Sequence, residues 1–159
     1  MQQLLEEIAK LLPVLVGALI ALLGAAARYF VERRDKRMEV RRQKLERLTD
    51  LTYRIRAWTG SLDSKLAFGL EGESQVDSPI EELQVLADIY FPELHDPASR
   101  LVVAAKTYAA MAYRMGARRL QDGRIPDDAN MRIQETYAPV ADAIGELSKQ
   151  IRLAARKLE

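Results

Sequence analysis

Residues 11–27 read LLPVLVGALIALLGAAA, 17 consecutive positions without a charged or polar side chain. Coiled as a helix, at about 1.5 Å per residue, the run is roughly 25 Å long. Arg28, Tyr29, Phe30 and Val31 extend it toward the ~30 Å of a bilayer's hydrocarbon core, with the arginine reaching for the headgroups. Three fates suit such a stretch: it crosses a membrane, is buried in a helical bundle, or is cleaved off as a secretory signal. A cleaved signal would use Ala25, Ala26 and Ala27 as its small-residue site. Against it stand Glu6 and Glu7 where positive charge is needed, the length of the run, and a basic segment directly after the cut. The sequence predicts one membrane-spanning helix.

Charge gives that helix a direction. The net charge is only +1, yet residues 28–47 carry nine basic side chains against four acidic ones, and residues 48–159 carry 14 against 17. A basic collar on the C-terminal side is expected to place the N-terminus outside and the rest in the cytoplasm. The collar is also drawn to an anionic leaflet. The expected layout is a short amphipathic lead-in and transmembrane helix over 1–31, a basic juxtamembrane stalk over 32–47, and a cytosolic domain over 48–159. The chain has no cysteine, which excludes disulfides, thiolate nucleophiles and cysteine metal sites, and fits a reducing compartment.

One face of the apolar helix follows Gln3, Glu7, Lys10, Val14, Gly17, Ala21, Gly24 and Arg28. Its middle is small, and in lipid small residues let helix backbones approach closely. Gly17, Ala21, Gly24 and Arg28 are therefore the candidate oligomer or pore face; a dimer seam and a pore lining fit the pattern equally. Leu15, Leu19, Leu22 and Leu23 make the opposite, lipid-facing side.

Beyond the span the pattern is all-α. No Gly or Pro interrupts residues 28–59, and Glu32–Lys36 and Arg42–Glu46 are spaced as helical ion pairs. An apolar stripe runs through Met38, Leu45, Leu48, Leu51, Ile55 and Leu62, with Arg41 at one seam position and Trp58 read as core. Residues 69–78 read as a loop. Ser78, as a cap, and Pro79, at the first helical position, open a helix that ends at Phe91-Pro92. Asp96-Pro97 opens the next from Ala98, with a buried stripe of Leu101, Ala105, Tyr108, Ala112 and Met115, and Gly123 closes it. Residues 125–127 lead into the last helix, whose Ile133, Tyr137, Val140, Ile144, Leu147 and Ile151 keep helical spacing past a kink expected at Pro139. No segment alternates with period two, so no sheet is predicted. The expected fold is a helical bundle joined to a membrane helix.

Little in the chain suggests catalysis. His95 is the single histidine and falls in a turn, and no glycine-rich phosphate loop, nucleophile elbow or paired-histidine metal motif occurs. A non-enzyme without cofactor is expected. Binding is better served: Lys106, Tyr113, Arg114 and Arg118 lie on one helix, with Arg119, Arg124 and Arg132 close in sequence. Arginine forks beside an aromatic ring suit phosphates and a stacked base, as in a nucleotide or nucleic-acid-linked signal. The alternative is a solvated helix face whose last-turn cations complement the dipole.

A span feeding a small helical bundle, with Tyr90-Phe91-Pro92-Glu93-Leu94 closing a helix, resembles the small single-pass membrane proteins of bacterial phage-defence islands, CRISPR accessory proteins among them. An arginine-to-histidine motif associated with some of those pore-formers has no arginine at the needed spacing before His95, so no functional residue carries over. The resemblance implies a homo-oligomeric inner-membrane effector, a pore or membrane-perturbing protein, controlled by its cytosolic bundle. The alternative is a non-conducting, membrane-anchored adaptor that recruits a cytosolic protein.

Overall fold

The computed structural model describes the backbone of residues 2–69 and 77–158, and side chains from residue 16 onward apart from residue 18. Its regular elements are all helical: α1 (Gln2–Leu62), a π-helical turn (Asp63–Ala67), α2 (Ile80–Tyr90), a 3-10 turn (Pro92–Leu94), α3 (His95–Asp122) and α4 (Ala129–Arg156). No strand occurs among the described residues. The chain divides into two compact units, Met1–Val40 and Arg41–Glu159, and the helical backbone of α1 continues through the point of division.

In the first unit no described side chain of α1 is buried. Every described side chain from Val16 to Val31 is exposed, with Leu22 at 69% and Phe30 at 67%. Glu32 accepts a hydrogen bond from Arg28 Nε at 2.8 Å. Among the described residues no helix is long and apolar enough to cross a membrane. Residues 11–15 of the apolar run, Val14 among them, and the polar start of the small-residue face (Gln3, Glu7, Lys10) lie outside the described side chains.

The second unit is built on four apolar stripes. Leu45, Leu48, Leu51, Ile55 and Trp58 bury one face of the C-terminal turns of α1. Leu83, Leu86 and Ala87 come from α2, and the predicted stripe Leu101, Ala105, Tyr108, Ala112 and Met115 comes from α3. Val140, Leu147, Ile151 and Ala154 complete the core from α4. Fully burying one leucine side chain contributes about 1.5–3 kcal/mol, so these stripes dominate the stability of the unit.

Several boundaries differ from the sequence reading. Arg41, Leu45 and Arg47, assigned to the exposed stalk, belong to the bundle. Leu45 is buried, Arg41 Nη2 lies 2.6 Å from Glu93 Oε1, and Arg47 grips Glu82 through Nε at 2.7 Å and Nη2 at 2.8 Å. Arg41 occupies its seam position because its guanidinium covers the Phe91 ring, 5.4 Å from the centroid, while its charged end meets Glu93.

Neither helix start matches its predicted cap. α2 begins at Ile80 with Pro79 as the capping residue, and no side-chain cap bond is made. α3 begins at His95 rather than Ala98, which Pro97 tolerates because first-turn amides have no acceptor within the helix. His95 is thus the first helical residue, its Nδ1 2.6 Å from Asp88 Oδ1. Residues 126–129 form a turn closed by Ala129 N donating to Pro126 O at 3.0 Å, and α4 begins at Ala129, behind the predicted lead-in. Most of the predicted 69–78 loop, residues 70–76, lies outside the described residues.

Candidate functional site: an arginine cleft between α3 and α4

Two helices and three guanidinium groups make the strongest site in the bundle. Arg114 and Arg118 stand one turn apart on α3, and Arg132 lines the same cleft from the first turn of α4. Together with Thr107 and Thr136 they line a cleft of about 450 Å³. Met111 and Met115 are buried and form its apolar floor. The helical period explains the grouping: positions 107, 111, 114 and 118 follow one another at four-, three- and four-residue steps, and Met115 lies four residues on from Met111, which puts them on one side of α3.

Two of the three cations are tethered. Arg114 Nε donates to Ala110 O at 3.1 Å, so its guanidinium is tethered while both terminal nitrogens remain for a ligand. Arg132 Nε donates to Asp128 Oδ2. That bond, more than any other influence, holds the Asp128 carboxyl below the usual carboxylate range, and the nearby Arg118 charge acts in the same direction. One carboxylate against three guanidiniums leaves the cleft electropositive, and planar arginine forks match the oxygens of phosphate.

No known protein family, curated protein or solved structure matches the chain. The string that carries the defence-island resemblance has a packing explanation in this fold. Phe91 leaves α2 with its ring fully buried, Pro92 opens the 3-10 turn, and Leu94 is buried before α3 begins.

Of the four ligand-binding candidates, the fold brings two together. Arg114 and Arg118 line the cleft, whereas Lys106 and Tyr113 do not. Each residue advances about 100° around a helix, so Tyr113, one position from Arg114, points elsewhere and is 59% exposed. The expected aromatic partner of the arginines is therefore absent from the cleft. Two neighbouring cations serve other roles: the Arg119 guanidinium fills the space beside Gly69, and Arg124 pairs with Asp127 at 4.0 Å. Arg132 takes the third cationic place, and its signal was present in the sequence as an Arg132–Thr136 pair one turn apart.

Of the small-residue face, Gly17 and Gly24 have nothing within 4 Å of where a Cβ would sit, and Arg28 is exposed beyond its bond to Glu32. Ala21 is exposed as well. The face is open.

Proposed function

We propose that the protein is a homo-oligomeric, single-pass membrane effector, its spanning helices assembling along Gly17, Ala21, Gly24 and Arg28 and its cytosolic bundle controlling the state of the membrane. The observation that carries this reading is the uncovered apolar helix. Val16, Leu19, Ile20, Leu22, Leu23 and Phe30 are all exposed, and water-facing monomers rarely tolerate a contiguous apolar surface of that extent. The run begins at Leu11, before the first described side chain, so the crossing itself rests on the full 17-residue stretch in the sequence. The basic excess at 28–47 supports a cytoplasmic bundle, and the open Gly17 and Gly24 positions support close helix approach.

On this reading the bundle's lipid neighbour is the inner leaflet, its first partner is another copy of itself, and its chemistry is non-enzymatic. Phage defence is the setting that the resemblance offers. A pore would have no polar lining at mid-membrane and would be gated by an apolar constriction. The test is the double variant Gly17→Leu/Gly24→Leu. Wild type should remain in the membrane fraction after alkaline extraction and cross-link as oligomers in detergent. The variant should stay in the membrane but lose the oligomers and any toxicity on overexpression. A membrane-anchored adaptor would keep its cytosolic partner in the same variant, and a wild-type protein monomeric in detergent at every concentration sinks the effector reading.

A further inference from the structure

The arginine cleft is one end of a longer groove. Thr107 and Thr136 also line an adjoining hollow of about 730 Å³ between α3 and α4, whose walls are Val103, Ala104, Pro139 and Ala143. At its far end stand Arg100, Asp142 and Glu146. The groove thus passes from guanidiniums, through two threonines, to an apolar slot, and finishes on side chains of both signs.

We propose that this groove binds a nucleoside diphosphate or triphosphate, with phosphates on Arg114, Arg118 and Arg132 and the base in the slot beside Val103 and Pro139. Each part of the groove matches one part of such a ligand. Arg114 and Arg118 are a turn apart, roughly 6 Å along the axis, which suits successive phosphates better than a single one. Thr107 Oγ1 already donates to Val103 O at 2.9 Å, and Thr136 Oγ1 donates to Arg132 O at 2.7 Å. With their protons engaged, the two hydroxyl oxygens are left as acceptors. They repel a phosphate and accept from sugar hydroxyls.

The slot next to them offers flat apolar surface from a proline and small aliphatic side chains. Beyond it Asp142 and Glu146 can accept from a ring amino group, and Arg100 can donate to ring nitrogens or carbonyls. From Val103 to Arg114 the helix rises roughly 16 Å, the reach of an extended nucleotide. An aliphatic tail fits less well, because it would end against Arg100, Asp142 and Glu146. Pro139 stands inside α4 and its compact ring forms part of the slot's wall.

This inference concerns the second unit alone and does not depend on how the first unit meets lipid. Its test is calorimetric titration of the full chain in detergent with ADP, GDP, inorganic pyrophosphate and, separately, vesicles containing anionic phospholipid. A nucleoside diphosphate should bind at least tenfold more tightly than pyrophosphate. Arg114→Glu/Arg118→Glu should weaken it more than tenfold, and Val103→Asp, at a 65% exposed position, should weaken the nucleotide but not pyrophosphate. All three side chains are exposed, so circular dichroism should show both variants folded. Equal affinity for pyrophosphate and nucleotide, binding to vesicles only, or no binding of any probe overturns the proposal.

Discussion

Asp63 and Tyr108 meet across 45 residues of sequence, at the turn where α1 loosens into a π-helical coil. The Tyr108 hydroxyl donates to Asp63 Oδ2, while Asp63 Oδ1 is buried without a partner. Burial is the largest influence on both groups. It raises the Asp63 carboxyl above the ordinary carboxylate value, the bond from Tyr108 only partly offsetting this, and it raises the Tyr108 phenol well above the ordinary tyrosine range. For either group the folded state then holds its proton more tightly than the unfolded chain does, so stability falls as pH rises through the interval between the two values. The Asp63 contribution is complete below about pH 4 and declines above it; that of Tyr108 is complete below about pH 10 and declines above it. Asp63→Asn should therefore flatten the loss of stability that sets in above about pH 4, and Tyr108→Phe should flatten the loss above about pH 10. Tyr108→Phe should also cost about 1–3 kcal/mol at pH 7 by leaving the carboxylate without its donor. Urea unfolding at a series of pH values checks all three; a pH profile unchanged in Asp63→Asn would show that this carboxyl does not feel its burial.

Among the elements, α3 approaches the π-helical turn closely at Gly116. A Cβ on Gly116 would lie 3.2 Å from Leu66 Cβ and 3.3 Å from Leu66 O, so only glycine lets the two backbones meet at this distance without adjustment. Gly116→Val should push α3 off the turn and destabilise the bundle by about 1–3 kcal/mol, read as a lowered urea midpoint with an unchanged slope. Gly123, by contrast, caps α3 at φ 66° with open space around it, so Gly123→Ala should cost about 1 kcal/mol through the backbone alone. Gly123 was recognisable in the sequence as a helix stop, because a Gly after a run of helical spacing carries its meaning locally. So were the stripes of α3 and α4, whose repeat at three and four residues is a property of the helix itself. Gly116 and the Asp63–Tyr108 pair were not, since their meaning depends on which element packs opposite. The cleft falls between these cases. Arg114 and Arg118 were legible as neighbours on one helix, but the threonines and Arg132 become a site only when α4 lies alongside α3, and a linear reading placed Tyr113 where the helical turn does not.

At the level of the whole molecule, the change from exposed helix to packed helix occurs inside α1 without a break in its backbone, and the charge pattern locates it too late. Composition stays basic up to Arg47, yet Leu45 is 5% exposed, Leu48 is fully buried, and Arg41 and Arg47 hold Glu93 and Glu82. Arginine serves both sides of this boundary: a guanidinium on a long apolar stem covers a hydrophobic ring as readily as it faces water, so a count of charges cannot tell one use from the other. The consequence is a sharp dependence on where the chain is shortened. A polypeptide of residues 41–159 retains the whole described core and both arginine clamps, and should unfold cooperatively at a midpoint close to that of the bundle in the full chain. One of residues 51–159 loses the burial of Leu45 and Leu48, about 1.5–3 kcal/mol each, together with the contacts to α2 and to the turn before α3. Against a total of roughly 5–15 kcal/mol for a domain, that loss should broaden or abolish the transition. Guanidinium unfolding followed by circular dichroism separates the outcomes. Equal midpoints for the two polypeptides would mean that the basic turns of α1 lie on the bundle without stabilising it, and that the stalk does extend to Arg47.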